Sequence, residues 1–269
     1  MVLKPIFEAH SIESISLTCE YDGAVDAHGL SVIKDEGSRL KLKYSARRVA
    51  RKSANPNAEN HSSQPEVKGY LFLNRDGDRE KSRFEVINSN CVYTSKNYIN
   101  FKTFLADAAF SLKIGHEAFS KSGRRLEKII LSYKDQFVTT NSEEVLEGVN
   151  PACPYIASAC LNQNNFWHSN VGFFSQDFGD ETTLLHNIRI HHSLVKDNDF
   201  DDEDTELTHA LIVECHHVLG MSDEDVSDFE NTFEDTSNRL RSTHKEMLLE
   251  ILSADLISAI GLKKEKAEG

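Results

Sequence analysis

Residues 207–220 read Leu207-Thr208-His209-Ala210-Leu211-Ile212-Val213-Glu214-Cys215-His216-His217-Val218-Leu219-Gly220. Thirteen residues without a breaker, closed by a glycine, predict a long strand. Period two places His209, Leu211, Val213, Cys215 and His217 on one apolar face and leaves Glu214 and His216 on the other. A sheet with one apolar face must bury it, so a helical layer is expected against it. Residues 183–195 form a second strand of the same kind. His186, Ile188, Ile190, His192 and Leu194 lie on one face, and Asn187, Arg189 and His191 on the other. An antiparallel register then sets Arg189 opposite Glu214, a favourable charge pair, with Asn187 opposite His216 and His186 opposite His217.

Outward from this pair the pattern extends in both directions. Val226, Phe229, Phe233, Leu240, Met247, Leu248, Ile251 and Leu252 recur at helical spacing, with Ser222 as N-cap, Asp225 at the capping-box position and a break near Ser253-Ala254-Asp255. Residues 156–160 and 171–174 read as strands. In the first half, residues 5–20 alternate loosely, and Leu40, Leu42 and Tyr44 alternate with Lys41 and Lys43, which predicts a strand. Asp76-Gly77 predicts a hairpin turn between strands at 67–74 and 80–87, and residues 90–95 continue the sheet. Phe101, Phe104, Leu105, Ala108, Leu112 and Phe119 give a helix over 98–121, stopped by Gly123. The run 129–137 is a further strand with Ile129, Leu131, Tyr133, Asp135 and Phe137 on one face, and a short helix is expected from Asn141-Ser142 to about Val149. The expected fold class is α+β: antiparallel sheets covered by two long helices, in two similar β-rich halves each followed by a helix. The halves fall at 1–145 and 146–269, and either a single compact unit or a duplication is compatible with this order.

The composition bounds the function. A chain of 269 residues with 39% hydrophobic residues and 15 Phe can build a full core without disulfide or metal staples. Five cysteines, odd in number and irregularly spaced, do not make a disulfide framework. No signal peptide or apolar membrane span is present, so a cytoplasmic protein is expected. A net charge of −13 argues against non-specific wrapping of nucleic acid. That charge is unevenly spread: the first 138 residues are net basic, and the remainder, through acid-rich tracts at 196–206 and 223–235, is strongly acidic.

The densest chemistry is histidine: His186, His191, His192, His209, His216 and His217 within 32 residues, beside Glu214 and Cys215. Metal sites need several such groups at one point. Strand parity divides these histidines between two faces, so no metal or other cofactor is assigned, with His191 and His216 as the candidates if one binds. Tyr133 and Asp135 on one strand face are candidates for acid–base chemistry. Cys153 and Cys160 have neither zinc nor redox spacing. His116-Glu117 lacks a second zincin histidine, Asn74–Asp78 lacks EF-hand order, Glu66-Val67-Lys68 is a three-residue likeness to a nuclease motif, and no phosphate loop or nucleophile elbow occurs. Arg39, Lys41, Lys43, Arg47, Arg48, Arg51 and Lys52 form a basic run that suits a protected sheet edge, a partner or nucleic acid.

Several segments together resemble a sporadically distributed, functionally uncharacterised conserved hypothetical family of bacteria and archaea. Pro5-Ile6-Phe7-Glu8-Ala9 is similar to its opening Pro-Ile-x-Glu-Ala strand. Tyr98-Ile99-Asn100-Phe101-Lys102-Thr103-Phe104 is similar to its Tyr-x-x-Trp-x-x-Phe helix start. Lys128–Asp135 resembles its Arg-Leu-Gly-Leu-Arg-Tyr-Ile-Asn strand, and Val213-Glu214-Cys215-His216 its Leu-Asp-Ile-Asp strand, followed by a helix that carries a histidine, here His244. Ser132, Asp135 and His216 depart from the family's Arg, Asn and second Asp. The resemblance implies a fold rather than an activity, and its patchy distribution implies mobile or antiviral-defence operons.

The leading expectation is thus a non-enzymatic interaction, sensing or accessory subunit, leaning away from an enzyme. It would have a protein partner and could form a homo-oligomer, with Arg189, Glu214, His216, Arg47 and Arg48 as binding residues. One alternative is a hydrolase or nuclease using His191, Glu214 and His216, or Tyr133 and Asp135. Another is nucleic-acid binding through residues 39–52.

Overall fold

A computed structural model of the chain describes residues 3–7, 10–51, 67–163, 166–176, 183–196, 207–221 and 229–262. In order these form β1 (Lys4–Pro5), β2 (Ile12–Tyr21), α1 (Ala27–Asp35), α2 (Gly37–Lys43), β3 (Ala46–Arg51), β4 (Val67–Asp76), β5 (Arg79–Ile87) and β6 (Asn90–Ser95). There follow α3 (Phe101–Lys121), β7 (Leu126–Thr139), α4 (Glu143–Glu147), α5 (Ser158–Leu161), β8 (His168–Ser175), β9 (Leu184–Lys196), β10 (Leu207–Gly220), α6 (Phe229–Ile251) and α7 (Ala254–Ala259). The strands make a large antiparallel sheet in the order β3-β4-β5-β6-β2-β7-β10-β9-β8, with β1 paired to β7. Helices flank it, so the α+β expectation holds, with two β-rich segments each followed by a long helix. Ser222, Asp225, most of the acid-rich tracts, Lys52, Glu66 and the Glu8-Ala9 part of the opening motif lie outside the described residues.

Local chemistry explains most boundaries. Gly77 sits at φ +58°, the left-handed region that a tight hairpin turn requires, and joins β4 to β5. Asn100 caps α3 by accepting from the Thr103 amide, and Gly123 at φ +67° ends it. Asp26 caps α1 in the same way through the Gly29 amide.

Two expected strands are helices. Leu40 and Leu42 lie in α2 and Tyr44 is its C-cap; Leu40 and Tyr44 are buried while Leu42 is 91% exposed. The burial spacing is therefore four, not two, and the flanking lysines do not signal alternation. Residues 158–161 form the short α5 rather than the end of a strand.

The chain divides into two compact units, each discontinuous in sequence. One comprises residues 15–131 and 219–237. There β3 to β6 and β2 pair in sequence-specified registers, with Phe72 opposite Phe84, Phe84 opposite Tyr93, and Cys19 opposite Cys91. These side chains and Phe104, Ala108, Leu112 and Phe119 of α3 are buried. Each fully buried Phe or Leu contributes about 1.5–3 kcal/mol. Tyr21 stacks on Phe119 with ring centroids 3.9 Å apart, and its hydroxyl lies 3.1 Å from His116 Nδ1. The His116 ring itself stacks on Phe229 at 4.0 Å. Burial pushes His116 down to about 4, so its ring is neutral at pH 7. Gly115 lets α3 approach β6: a Cβ there would meet Cys91 Sγ at 2.0 Å.

The other unit comprises residues 1–14, 132–218 and 238–269. Its core gathers Phe137 of β7, Ile188 and Ile190 of β9, Leu211 and Val213 of β10, and Met247, Leu248 and Ile251 of α6. α6 stops where Ser253 caps α7 through the Leu256 amide, the break expected from Ser253-Ala254-Asp255. Among the described residues no helix is long and apolar enough to cross a membrane.

Gly115→Ala should destabilise the protein by about 1–3 kcal/mol through overpacking. Adding Cys91→Ala should restore most of that loss, which urea unfolding of the two single variants and the double variant will measure. Acidification gives a second check. The unfolded chain binds a proton at His116 near pH 6.5 and the folded chain not until about pH 4. Stability therefore falls as pH drops through that window and levels below it. His116→Phe should flatten this part of the pH–stability curve.

Candidate metal centre

The alternation expected for β9 and β10 is present. His186, Ile188, Ile190 and His192 are buried, as are Leu211, Val213, Cys215 and His217, whereas Arg189 and His216 are exposed. Arg189 pairs with Glu214 at 3.6 Å, and His186 Nδ1 lies 3.0 Å from His217 Nδ1. These are the cross-strand neighbours that parity and charge predict.

A third element completes the inner group. α6 turns His244 onto the buried face, and its ring stacks on Tyr133 of β7 at 3.8 Å with the planes 2° apart. Cys215, His217 and His244 each offer one ligand atom, and the three atoms lie within 4.8 Å of one another. Cys215 and His217 are 0% exposed and His244 is 3% exposed.

The two histidines sit in one continuous line of polar contacts. Ser11 donates to Asp135 Oδ1 at 2.6 Å. Asp135 Oδ2 lies 3.1 Å from His244 Nε2, in contact as an ion-pair or charge-assisted partner. His244 Nδ1 faces His217 Nε2 at 3.4 Å. Beyond His217, His186 Nε2 reaches Ser175 Oγ at 2.8 Å. Burial pushes the Cys215 thiol well above its ordinary range, aided by the charges of Asp135 and Glu214. Burial also holds His217 well below the ordinary histidine range, with His244 and His186 adding to the effect. Both shifts favour an uncharged interior; a cation between the rings and the sulfur would oppose the first by stabilising the thiolate and reinforce the second by keeping His217 neutral, the form that binds metal.

The other sequence candidates fall elsewhere. Tyr133 and Asp135 meet at His244, with Asp135 fully buried. Glu214, His216 and His191 belong to the opposite side of the strands. His216 Nδ1 contacts Ser132 Oγ at 2.7 Å, and burial lowers His191 against the opposing pull of Glu214. Neither His191 nor His216 is in the Cys215–His217–His244 group. His192 and His209 make a separate pair at 2.9 Å beside Phe166. Arg47 and Arg48 lie on β3, with Arg47 over the Tyr70 ring at 5.5 Å.

This group corrects the expectation of a non-enzymatic accessory subunit and the leaning away from an enzyme. A buried His/Cys/His cluster backed by a carboxylate is capable of metal coordination, as hydrolytic centres are. Parity had counted histidines on two strands and found them divided. The ligands outside that count were Cys215, which reads as a small core residue, and His244, 27 positions after His217 on a helix. His244 also falls at helical spacing from Leu240 and Leu248, which is the signal in the residues themselves that it faces inward. The chain matches no family model, no curated protein and no solved structure.

Asp135→Asn replaces one of two buried acceptors with a donor, against either Ser11 or His244. It should cost about 1–3 kcal/mol in urea unfolding. Arg189→Ala, which removes an exposed ion pair, should change stability by less than about 1 kcal/mol.

Proposed function

We propose that the chain is a metal-dependent hydrolase whose ion is held by Cys215, His217 and His244. The observation that carries this is the convergence of their three ligand atoms within 4.8 Å at a buried point. One sulfur and two imidazoles suit a borderline divalent ion of the zinc class. Magnesium and calcium prefer oxygen ligands. The 3.4 Å between His217 Nε2 and His244 Nδ1 is long for a hydrogen bond. It is close to the ~3.3 Å edge that two zinc–nitrogen bonds span in a tetrahedron. Asp135 stands behind His244 as carboxylates do behind metal-bound histidines.

Three protein ligands leave a fourth position for water or substrate, and an ion there would acidify bound water and polarise an ester or phosphoester. The depth of the cluster favours a second reading, in which the ion serves the fold alone. For its setting we place the chain in the cytosol, where the cysteines, all free, stay reduced. Contact with nucleic acid at Arg47 and Arg48, and a protein partner, rest on charge alone.

Full-length protein should carry about one zinc or cobalt ion per chain, and Cys215→Ser and His217→Ala should each abolish tight binding. Metal-loaded protein should hydrolyse nitrophenyl esters or phosphoesters at a rate that a chelator removes. Absence of any bound ion rejects the proposal. Binding with raised thermal stability and no turnover rejects the hydrolase in favour of the structural ion.

A further inference from the structure

We infer that His186, held by Ser175, is a positioning residue that fixes which nitrogen of His217 faces the ion, as Asp135, held by Ser11, does for His244. The inference rests on the metal reading above and extends it to residues outside the ligand set.

A neutral imidazole has one donor and one acceptor nitrogen, so the contacts of one nitrogen dictate the state of the other. His244 presents Nδ1 to the cluster and Nε2 to Asp135 Oδ2, at 3.1 Å. A carboxylate only accepts, so Nε2 carries the proton and Nδ1 is left with a lone pair. His217 is reversed. It presents Nε2 to His244 and Nδ1 to His186 Nδ1, at 3.0 Å. For Nε2 to bind an ion, His217 must be protonated at Nδ1, and that proton must have an acceptor, because His217 is 0% exposed. His186 Nδ1 is the acceptor in place. His186 is then protonated at Nε2 and donates to Ser175 Oγ at 2.8 Å.

Without an ion the same line of groups can run the other way. His217 Nε2–H then points at the lone pair of His244 Nδ1, so His217 Nδ1 accepts from His186. His186 Nε2 in turn accepts from the Ser175 hydroxyl. A hydroxyl rotates to donate or accept, so Ser175 satisfies both arrangements, and a histidine at 186 can serve either. A carboxylate at 186 would enforce the loaded arrangement permanently, and an apolar residue would support neither. The two arms therefore differ in kind: His244 is set once by Asp135, whereas His217 is set reversibly by His186.

His186→Phe keeps an aromatic ring beside Phe173, which His186 contacts at 4.8 Å between centroids, but removes the acceptor. His186→Asn keeps an amide oxygen near the position of Nδ1. The test is a chelator competition for cobalt with the full-length wild type and both variants, read with the thiolate-to-cobalt absorption. His186→Phe should bind about 10–100-fold more weakly, and His186→Asn should recover most of the loss with an unchanged spectrum. Equal affinity in His186→Phe and the wild type overturns the inference while leaving the metal centre standing. A wild type that takes no ion sinks both together. If the variants do not fold, nitrogen NMR of the wild-type histidines decides. Zinc loading should leave His217 protonated at Nδ1 with Nε2 on the metal. The opposite assignment overturns the inference.

Discussion

Asp135 is a carboxylate with no exposure to solvent, set in a strand whose same-face neighbours are Tyr133 and Phe137. An ionised group in such a place is tolerated only when donors close around it. Ser11 and His244 are those donors, and each then constrains its surroundings. Ser11 must lie beside β7, which its carbonyl also achieves by accepting from the Gln136 amide at 2.8 Å. His244 must face inward from α6, which fixes the rotation of that helix and places Leu240, Leu248 and Ile251 in the core with it. The stacking of His244 on Tyr133 follows from the same anchor.

From His244 the requirement passes to His217, His186 and Ser175, each buried nitrogen needing a partner of opposite sense. The line touches the approach to β2, then β7, α6, β10, β9 and β8. An apolar core could hold these elements at equal or lower cost, since buried polar networks are rarely the most stable solution. A polar line kept in the middle of a core is better understood as equipment than as reinforcement. This is the reason the cluster, and not the apolar packing around it, carries the functional reading.

Much of the fold was legible because it rests on short-range chemistry. Gly77, Asn100, Gly123 and Ser253 mark turns and caps that depend on a few adjacent residues. The alternation in β9 and β10 predicts Arg189 beside Glu214 and His186 beside His217, which is where the structure has them. The failures came where period two and period four give the same residues, as at Leu40, Leu42 and Tyr44, or where apolar runs are short, as at 156–160. The site was half legible. Tyr133 and Asp135 stand out as polar groups on one strand face, and parity identifies His186, His192 and His217 as inward. Their meeting with Cys215 and His244 depends on the seating of a helix against a sheet, and a single chain pattern does not encode that distance. The polar residues Glu214 and His216 drew notice because they interrupt an apolar run, but interruption is also how a strand shows its solvent face.

On the proposed reading, charge explains why an ion and the network belong together. A fully buried site must come close to electrical neutrality, because unbalanced charge there has no solvent to screen it. A divalent ion brings two positive charges. Cys215 as a thiolate supplies one negative charge and Asp135, through His244, the other, while His217 and His186 stay neutral. Burial opposes ionisation of Cys215 when no cation is near, and the neighbouring Asp135 charge strengthens that opposition. The same two features turn favourable once the cation is between them. The sulfur then need not hold its proton, and Asp135 gains a partner through the imidazole. A trivalent ion would leave a net positive charge in the core, and a monovalent one a net negative charge. The arrangement therefore selects by charge as well as by donor type, and both criteria point to the same zinc-class ion.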